Sequence, residues 1–272
     1  MNMPVKSTMN HILKPDGKVV MVAMDHARMN GISYAALRNP APVIEAIIEG
    51  GADAVMTSYG VIKHYRDLLD GRIRKIMRLD TGSTRFYEDW EEYTSWYQVF
   101  TVEDALRAGA DGVISYSFPG LPIDGPTLAN IGKIAAEGDK YSMPTIAEMH
   151  AVPGDKVPSS YDPDVVASEC RIAAEFGADM IKTDYTGDKE SFKLVTSCCP
   201  VPVILAGGSK CKTPEDTLQL LRDAMDAGAA GTCFGRQIWE DKNITAMTRA
   251  VVAIVHSDAS VEEAMRIYEE NK

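Results

Sequence analysis

No run of about eighteen apolar residues occurs anywhere in the chain, which excludes a membrane-spanning helix of ordinary length. Basic residues are the minority. The 28 Lys and Arg face 39 Asp and Glu, and the formal charge of −11 is spread along the chain rather than gathered into blocks. That argues against a nucleic-acid surface but not against an anionic substrate, since a few local Arg, Lys and backbone N–H groups reverse the sign inside one pocket. Cysteine is scarce and unpatterned: Cys170, Cys198, Cys199, Cys211 and Cys233 form no CxxC pair and have no His at metal-ligand spacing. Adjacent Cys198-Cys199 makes a poor disulfide, so a reducing cytoplasm is the expected home. Met1 to Lys18 carries scattered charges without the apolar core of a signal peptide, so a soluble, unexported protein is expected. No strand-like run opens into a GxGxxG turn, which counts against a doubly wound open sheet.

What the chain does have is enough apolar material for a large core, 45% hydrophobic against 25% charged residues. It also has a recurring junction: Gly51-Ala52-Asp53-Ala54-Val55, Gly109-Ala110-Asp111-Gly112-Val113, Gly177-Ala178-Asp179-Met180-Ile181 and Gly228-Ala229-Ala230-Gly231-Thr232. Each follows a helical stretch and precedes a short apolar run. Glycine takes the positive φ that ends a helix, and the small residues let that end sit close to the next strand.

Between these beats the sequence predicts strands at Val19–Met24, Ala54–Thr57, Lys75–Leu79, Gly112–Tyr116, Thr145–Met149, Met180–Thr183, Val203–Ala206 and Thr232–Phe234. Eight such units over residues 1–272 predict an α/β protein, a single-domain (β/α)8 TIM barrel; a doubly wound open sheet is the rival that shares this alternation. Two segments exceed the minimal unit. From Gly82 to Val99, where the third connecting helix should begin, the chain is polar and aromatic, with Trp90, Tyr93, Trp96 and Tyr97. This insertion either caps a site, meets a neighbouring subunit, or packs down on its own barrel. After the eighth helix, Asn243–His256, an extra C-terminal helix is predicted at Ser260–Glu270, with Ser260 as N-cap and Glu263 at N3.

Barrel strands are buried on both faces, so polar side chains in them need a reason, and barrel enzymes place their chemistry at the C-terminal strand ends. Lys182 and Asp184 share a face by the two-residue period, as do Glu148 with His150 and Arg78 with Asp80, while Asp25 and His26 stand at the exit of the first strand. Near a barrel axis Lys182 would lose water, lowering its pKa toward the neutral amine that attacks a carbonyl; the alternative is a structural lysine paired with Asp184 or Glu148. Asp25 or His26 could move a proton at the substrate, or Asp25 could form an Asx turn at a strand exit. Ala206-Gly207-Gly208-Ser209-Lys210 and Phe234-Gly235-Arg236-Gln237 end the seventh and eighth strands, where barrels commonly hold a phosphate. Either is explained as a plain turn; together, Gly207, Gly208, Ser209, Gly235 and Arg236 read as an anion cradle.

In these residues the chain resembles the class I, Schiff-base aldolases: archaeal-type fructose-bisphosphate aldolase, more distantly deoxyribose-phosphate aldolase, the aldolase-like synthase of archaeal aromatic biosynthesis, and the quorum-signal thiolase. The resemblance runs in order through Met24-Asp25-His26, Gly50-Gly51-Ala52-Asp53-Ala54-Val55, Ile181-Lys182-Thr183, Ala206-Gly207-Gly208-Ser209 and Gly235-Arg236-Gln237-Ile238-Trp239. It implies a Schiff-base lysine at Lys182, an assisting acid at Asp25, phosphate at Gly207, Gly208, Gly235 and Arg236, and a homo-oligomer. It implies no metal and no other cofactor, because the protonated imine is itself the electron sink. One departure concerns the fifth strand: the archaeal-type aldolases usually carry a tyrosine there as proton donor and acceptor, and this chain reads Ala147-Glu148-Met149-His150. His150 can transfer protons in its place. Catalysis is therefore expected from Lys182, Asp25 and His150. His26, Arg78, Asp80, Glu148 and Asp184 are expected to bind substrate, and Arg85 offers a further polar contact. The expected substrate is a small phosphorylated or otherwise anionic carbonyl compound. Thiolase or transaldolase-type transfer through the same lysine is the enzymatic alternative; a non-catalytic sugar-phosphate sensor is the alternative of another class.

Overall fold

The computed structural model describes residues 6–208 and 211–272. Its strands in chain order are β1 (Val19–Ala23), β2 (Ala54–Thr57), β3 (Arg74–Arg78), β4 (Asp80–Gly82), β5 (Trp96–Gln98), β6 (Gly112–Ser117), β7 (Thr145–Met149), β8 (Met180–Thr183), β9 (Val203–Ala206) and β10 (Gly231–Phe234). Eight of them close a parallel barrel in the order β1-β10-β9-β8-β7-β6-β3-β2, while β4 and β5 pair as a separate antiparallel hairpin. Closure rules out the open doubly wound sheet. Among the described residues no helix is long and apolar enough to cross a membrane.

The junctions do more than end helices. Gly51, Gly109, Gly177 and Gly228 all take positive φ, between +80° and +97°, as the turn requires. In the first three, the aspartate that follows reaches sideways and caps a neighbouring strand. Asp53 Oδ2 accepts the Val20 N–H at 2.7 Å, Asp111 Oδ2 that of Lys75 at 2.8 Å, and Asp179 Oδ2 that of Thr145 at 2.8 Å. These amides open their strands at the bottom of the barrel, where an unpaired buried N–H would cost free energy. The fourth junction has Ala230 instead, and its own N–H donates to Val203 O at 2.7 Å.

Inside the barrel, alternate residues form apolar layers: Val19, Met21, Ala54, Met56, Ile76, Ile114, Ile146, Met180, Ile204 and Cys233, sealed from below by Met9, Ile12 and Leu13. Burying each large member stabilises by roughly 1.5–3 kcal/mol relative to exposure. The same inward-pointing sequence positions, continued upward by two residues, become Arg78, Tyr116, Glu148 and Lys182. The interior therefore changes from apolar to ionic at one level.

The aromatic insertion folds as the β4–β5 hairpin with a short 3-10 turn at Trp90–Glu92, and the helix expected there begins later, at Val102–Ala108, behind a Thr101/Asp104 capping box. Trp96 is buried against Met29 and Phe118, and its Nε1 donates to Asp80 Oδ2 at 2.8 Å. The insertion thus packs on its own barrel while roofing the mouth. At the other end of the chain, helices Ile244–Ser257 and Val261–Glu270 follow the barrel, the second with its Ser260/Glu263 capping box in place.

Candidate active site

Parallel register aligns Tyr116 of β6 with Glu148 of β7, and Glu148 with Lys182 of β8. Residues in register point to the same face, so three chemically active side chains meet in one layer. Lys182 Nζ lies 2.5 Å from Glu148 Oε1, and the Tyr116 hydroxyl also bonds this carboxylate. Arg78 completes the group: its Nη2 pairs with Glu148 Oε2, its Nε lies 2.9 Å from Asp25 Oδ2, and its guanidinium sits 4.2 Å above the Tyr116 ring.

Charge compensation fixes the protonation states here. Burial pushes Glu148 up, but Lys182 and Arg78 outweigh it and hold the carboxyl down at about 2. Asp25, likewise opposed by burial, is held well below the carboxylate range by Arg78 and Arg28. The expected net lowering of the Lys182 pKa is not found. Burial does lower it, but Cys233, Glu148 and Asp25 outweigh burial and the shift is upward, so the resting side chain is an ammonium. A nearby base must therefore take its proton before it can attack a carbonyl.

Two histidines flank the layer, and their surroundings shift them in opposite directions. His150 Nδ1 lies 2.7 Å from Asp184 Oδ2; burial draws the imidazole down, and the hydrogen bond and charge of Asp184 more than reverse this. His26 is pulled to about 4 by burial, so its ring is neutral near pH 7. Its Nδ1 is buried, with no hydrogen-bond partner among the described residues and Asp25 Oδ1 3.7 Å away. The His26 ring is wedged edge-on between Tyr34 and Trp239, with centroids 5.6 and 5.1 Å away.

The two glycine segments meet. Arg236 Nη2 donates to Gly208 O at 2.8 Å, and Gln237 Nε2 donates to Gly207 O at 2.8 Å, tying the turn after β9 to the turn after β10. A Cβ on Gly235 would stand 2.8 Å from His26 Cε1 and 3.1 Å from Ala23 O, so this approach requires glycine. Ser209, expected in the cradle, lies outside the described residues.

Two connected hollows occupy the mouth. One, of about 170 Å³, is bounded by Glu148, His150, Lys182, Gly207, Gly235 and Arg236. The other, of about 460 Å³, runs under the insertion past Asp25, Arg28, Asn30, Trp90 and Tyr93. His26, Tyr93, Tyr116, Lys182 and Arg236 line both. Asp25, Glu148, His150 and Asp184 also reach a hollow, as the strand periodicity predicts. Arg78 and Asp80 do not. Their side chains are 1% and 0% exposed, and Asp80 Oδ2 is filled by Trp96 Nε1, Ser115 Oγ at 2.6 Å and the Tyr116 N–H at 2.5 Å. The expected substrate contact gives way to scaffolding: Asp80 anchors the insertion, and Arg78 bridges the Asp25 and Glu148 carboxylates. Arg85 bonds the Ser33 hydroxyl on the outer rim.

Sequence reasoning missed Tyr116, whose hydroxylated side chain within an apolar run was a readable signal, and gave Tyr93 no individual role. Tyr93 takes a left-handed φ of 50°, stacks on Phe118 at 4.8 Å and meets the His150 ring edge-on at 6.1 Å. Such a conformation in a bulky residue is costly and is sustained by the packing around it.

The family model described as DeoC/LacD family aldolase matches residues 19–241. An uncharacterized aldolase of Saccharolobus solfataricus is 33% identical, covering 92% of this chain and 94% of its own. The 2-amino-3,7-dideoxy-D-threo-hept-6-ulosonate synthase of Halobacterium salinarum is 35% identical, covering 93% and 92%. Among solved structures, an archaeal fructose-1,6-bisphosphate aldolase with its catalytic lysine covalently bound to the carbinolamine intermediate superposes with a TM-score of 0.84. It is 27% identical and covers 93% of this chain and 99% of that one.

Proposed function

Because the chain belongs to the DeoC/LacD family of aldolases, enzymes that make or break carbon–carbon bonds, we propose that Lys182 is its Schiff-base lysine and that the substrate is a small ketose phosphate or similarly anionic keto compound. The observation that carries this reading is the 2.5 Å contact between Lys182 Nζ and Glu148 Oε1 at the floor of the hollow that Gly207, Gly235 and Arg236 enclose. A lysine with a base in contact and an anion cradle across a small cavity is what imine formation on a phosphorylated ketone requires.

Glu148 takes a proton from the Lys182 ammonium, and the freed lone pair bonds to the ketone carbon. The ketone oxygen gains a proton from the His150–Asp184 pair and the nitrogen, which still carries two protons, returns one to that pair, giving a neutral carbinolamine. The proton held by Glu148 then passes to the same oxygen, which leaves as water, and an iminium remains. A base then removes the proton from the hydroxyl beyond the scissile bond. The carbon–carbon electron pair moves toward the iminium nitrogen, the aldehyde departs and an enamine remains. Protonation of the enamine carbon and hydrolysis return Lys182. In reverse, the enamine adds to an aldehyde. Asp25, held anionic by Arg78 and Arg28, is placed to stabilise the iminium charge, while Glu148, in direct contact with Lys182 Nζ, and His150 carry the proton traffic.

The reading extends to a cytoplasmic homo-oligomer. Five free cysteines suit a reducing compartment, and Phe86, Tyr87 and Tyr97, which are 90%, 56% and 63% exposed on the insertion, suit subunit contact. Exchange of the proton beside the carbonyl tests the enamine directly. In deuterated water, without an aldehyde partner, the enzyme should erase one proton resonance of the donor ketone phosphate; retention of both would refute the mechanism.

A further inference from the structure

Glu169 stands behind the site and lines neither hollow. It projects from helix Pro163–Glu175 toward the barrel and is 2% exposed. Its Oε1 accepts the Thr183 hydroxyl at 2.8 Å, and Thr183 is the residue between Lys182 and Asp184. The N–H of Ala151, which follows His150, faces the same carboxyl. Oε2 is buried and has no hydrogen-bond partner among the described residues. One side chain therefore touches, from behind, the ends of both strands that carry the His150–Asp184 pair. A buried carboxylate with one oxygen unpartnered is unfavourable as an anion and acceptable as a neutral acid.

We propose that Glu169 is a positioning residue that clamps the ends of β7 and β8 as a neutral carboxylic acid and, by staying neutral, keeps the His150–Asp184 pair able to release its proton. This rests on the reading that His150 moves protons for a Schiff base on Lys182. The groups facing Glu169 are Thr183 and Asp184 from the end of β8, His150 and the Ala151 amide from the end of β7, and the Cys170 thiol from its own helix. Burial raises the Glu169 carboxyl to about 8, with Asp184 adding to the rise and His150 opposing it. When Glu169 ionises, a second carboxylate appears beside Asp184, His150 holds its proton more tightly, and turnover falls.

The experiment compares the full-length protein with Glu169→Gln, which keeps an oxygen for Thr183 but cannot ionise. Three readouts are taken: the pH profile of kcat/KM, the NMR titration of the His150 ring, and borohydride trapping of Lys182 with a ketose phosphate at neutral pH. Wild type should lose activity above about pH 8, and the variant should lack that limb. His150 should titrate in two coupled steps in wild type and in one step, at lower pH, in the variant. Trapping should be equal in both. Should the variant not fold, infrared difference spectra of wild type between about pH 7 and about pH 9 should show a protonated carboxyl band that disappears; its absence at neutral pH would overturn the proposal. Identical His150 titrations and activity limbs in the two proteins would also overturn it. A wild type that traps no adduct would instead overturn the Schiff-base reading.

Discussion

Lys182 Nζ lies 2.5 Å from Glu148 Oε1, and the two residues are register partners on adjacent parallel strands. The barrel itself sets this contact, because a shift of either strand by one residue would turn one of the side chains outward. Their proximity explains both why the resting lysine is charged and what relieves it of its proton.

Glu148→Gln separates these effects. Lys182 loses the carboxylate that favours its ammonium form, so its pKa falls, while the base that starts imine formation is gone. Turnover should drop by about 10²–10⁴-fold, yet the pH at which trapping reaches half its maximum should move down. Trapping rates measured across pH check both signs.

Arg236→Met tests the anion cradle. Its guanidinium bonds Gly208 O at 2.8 Å beside the smaller hollow. Removing a charged hydrogen-bond donor from an anion site costs roughly 1.5–3 kcal/mol, so KM for a ketose phosphate should rise at least tenfold while the unphosphorylated ketose is handled almost as before. Paired KM measurements on the two substrates decide it.

At the opposite end of the barrel, His256 bridges Asp16 through Nδ1 at 2.7 Å and Asp53 through Nε2 at 2.8 Å. The Asp53 hydrogen bond leads in raising its pKa. A raised folded-state pKa contributes stability that is fully present below about pH 6.5, the unfolded histidine value. It is lost as pH rises through the folded value. His256→Gln should therefore lower Tm by about 2–4 °C in mildly acidic buffer and by less in alkaline buffer, as thermal melts at several pH values would show.

Much of the fold was legible because its signals are local. Gly51, Gly109, Gly177 and Gly228 mark helix ends by conformational need, and the apolar runs after the first three such beats became β2, β6 and β8. Lys182, Glu148, His150 and Asp184 could be placed at the mouth by counting twos along a strand. What could not be counted was what lies across the barrel. The charge on Lys182 depends on Glu148 and Asp25, and the burial of Asp80 depends on Trp96, which the hairpin folds back over it. Glu169 read as one more polar residue on a helix, since nothing in its own segment says that Thr183 and Ala151 lie against it.

The whole mechanism turns on a bond between Lys182 Nζ and the substrate's carbonyl carbon. Mass spectrometry of the protein treated with borohydride and a panel of ketose phosphates tests this most directly, because reduction freezes the imine and the added mass names the bound fragment. One adduct per chain is predicted, mapping to the peptide that contains Lys182 and absent from Lys182→Met. An adduct on another lysine, with Lys182 unmodified, would contradict the account.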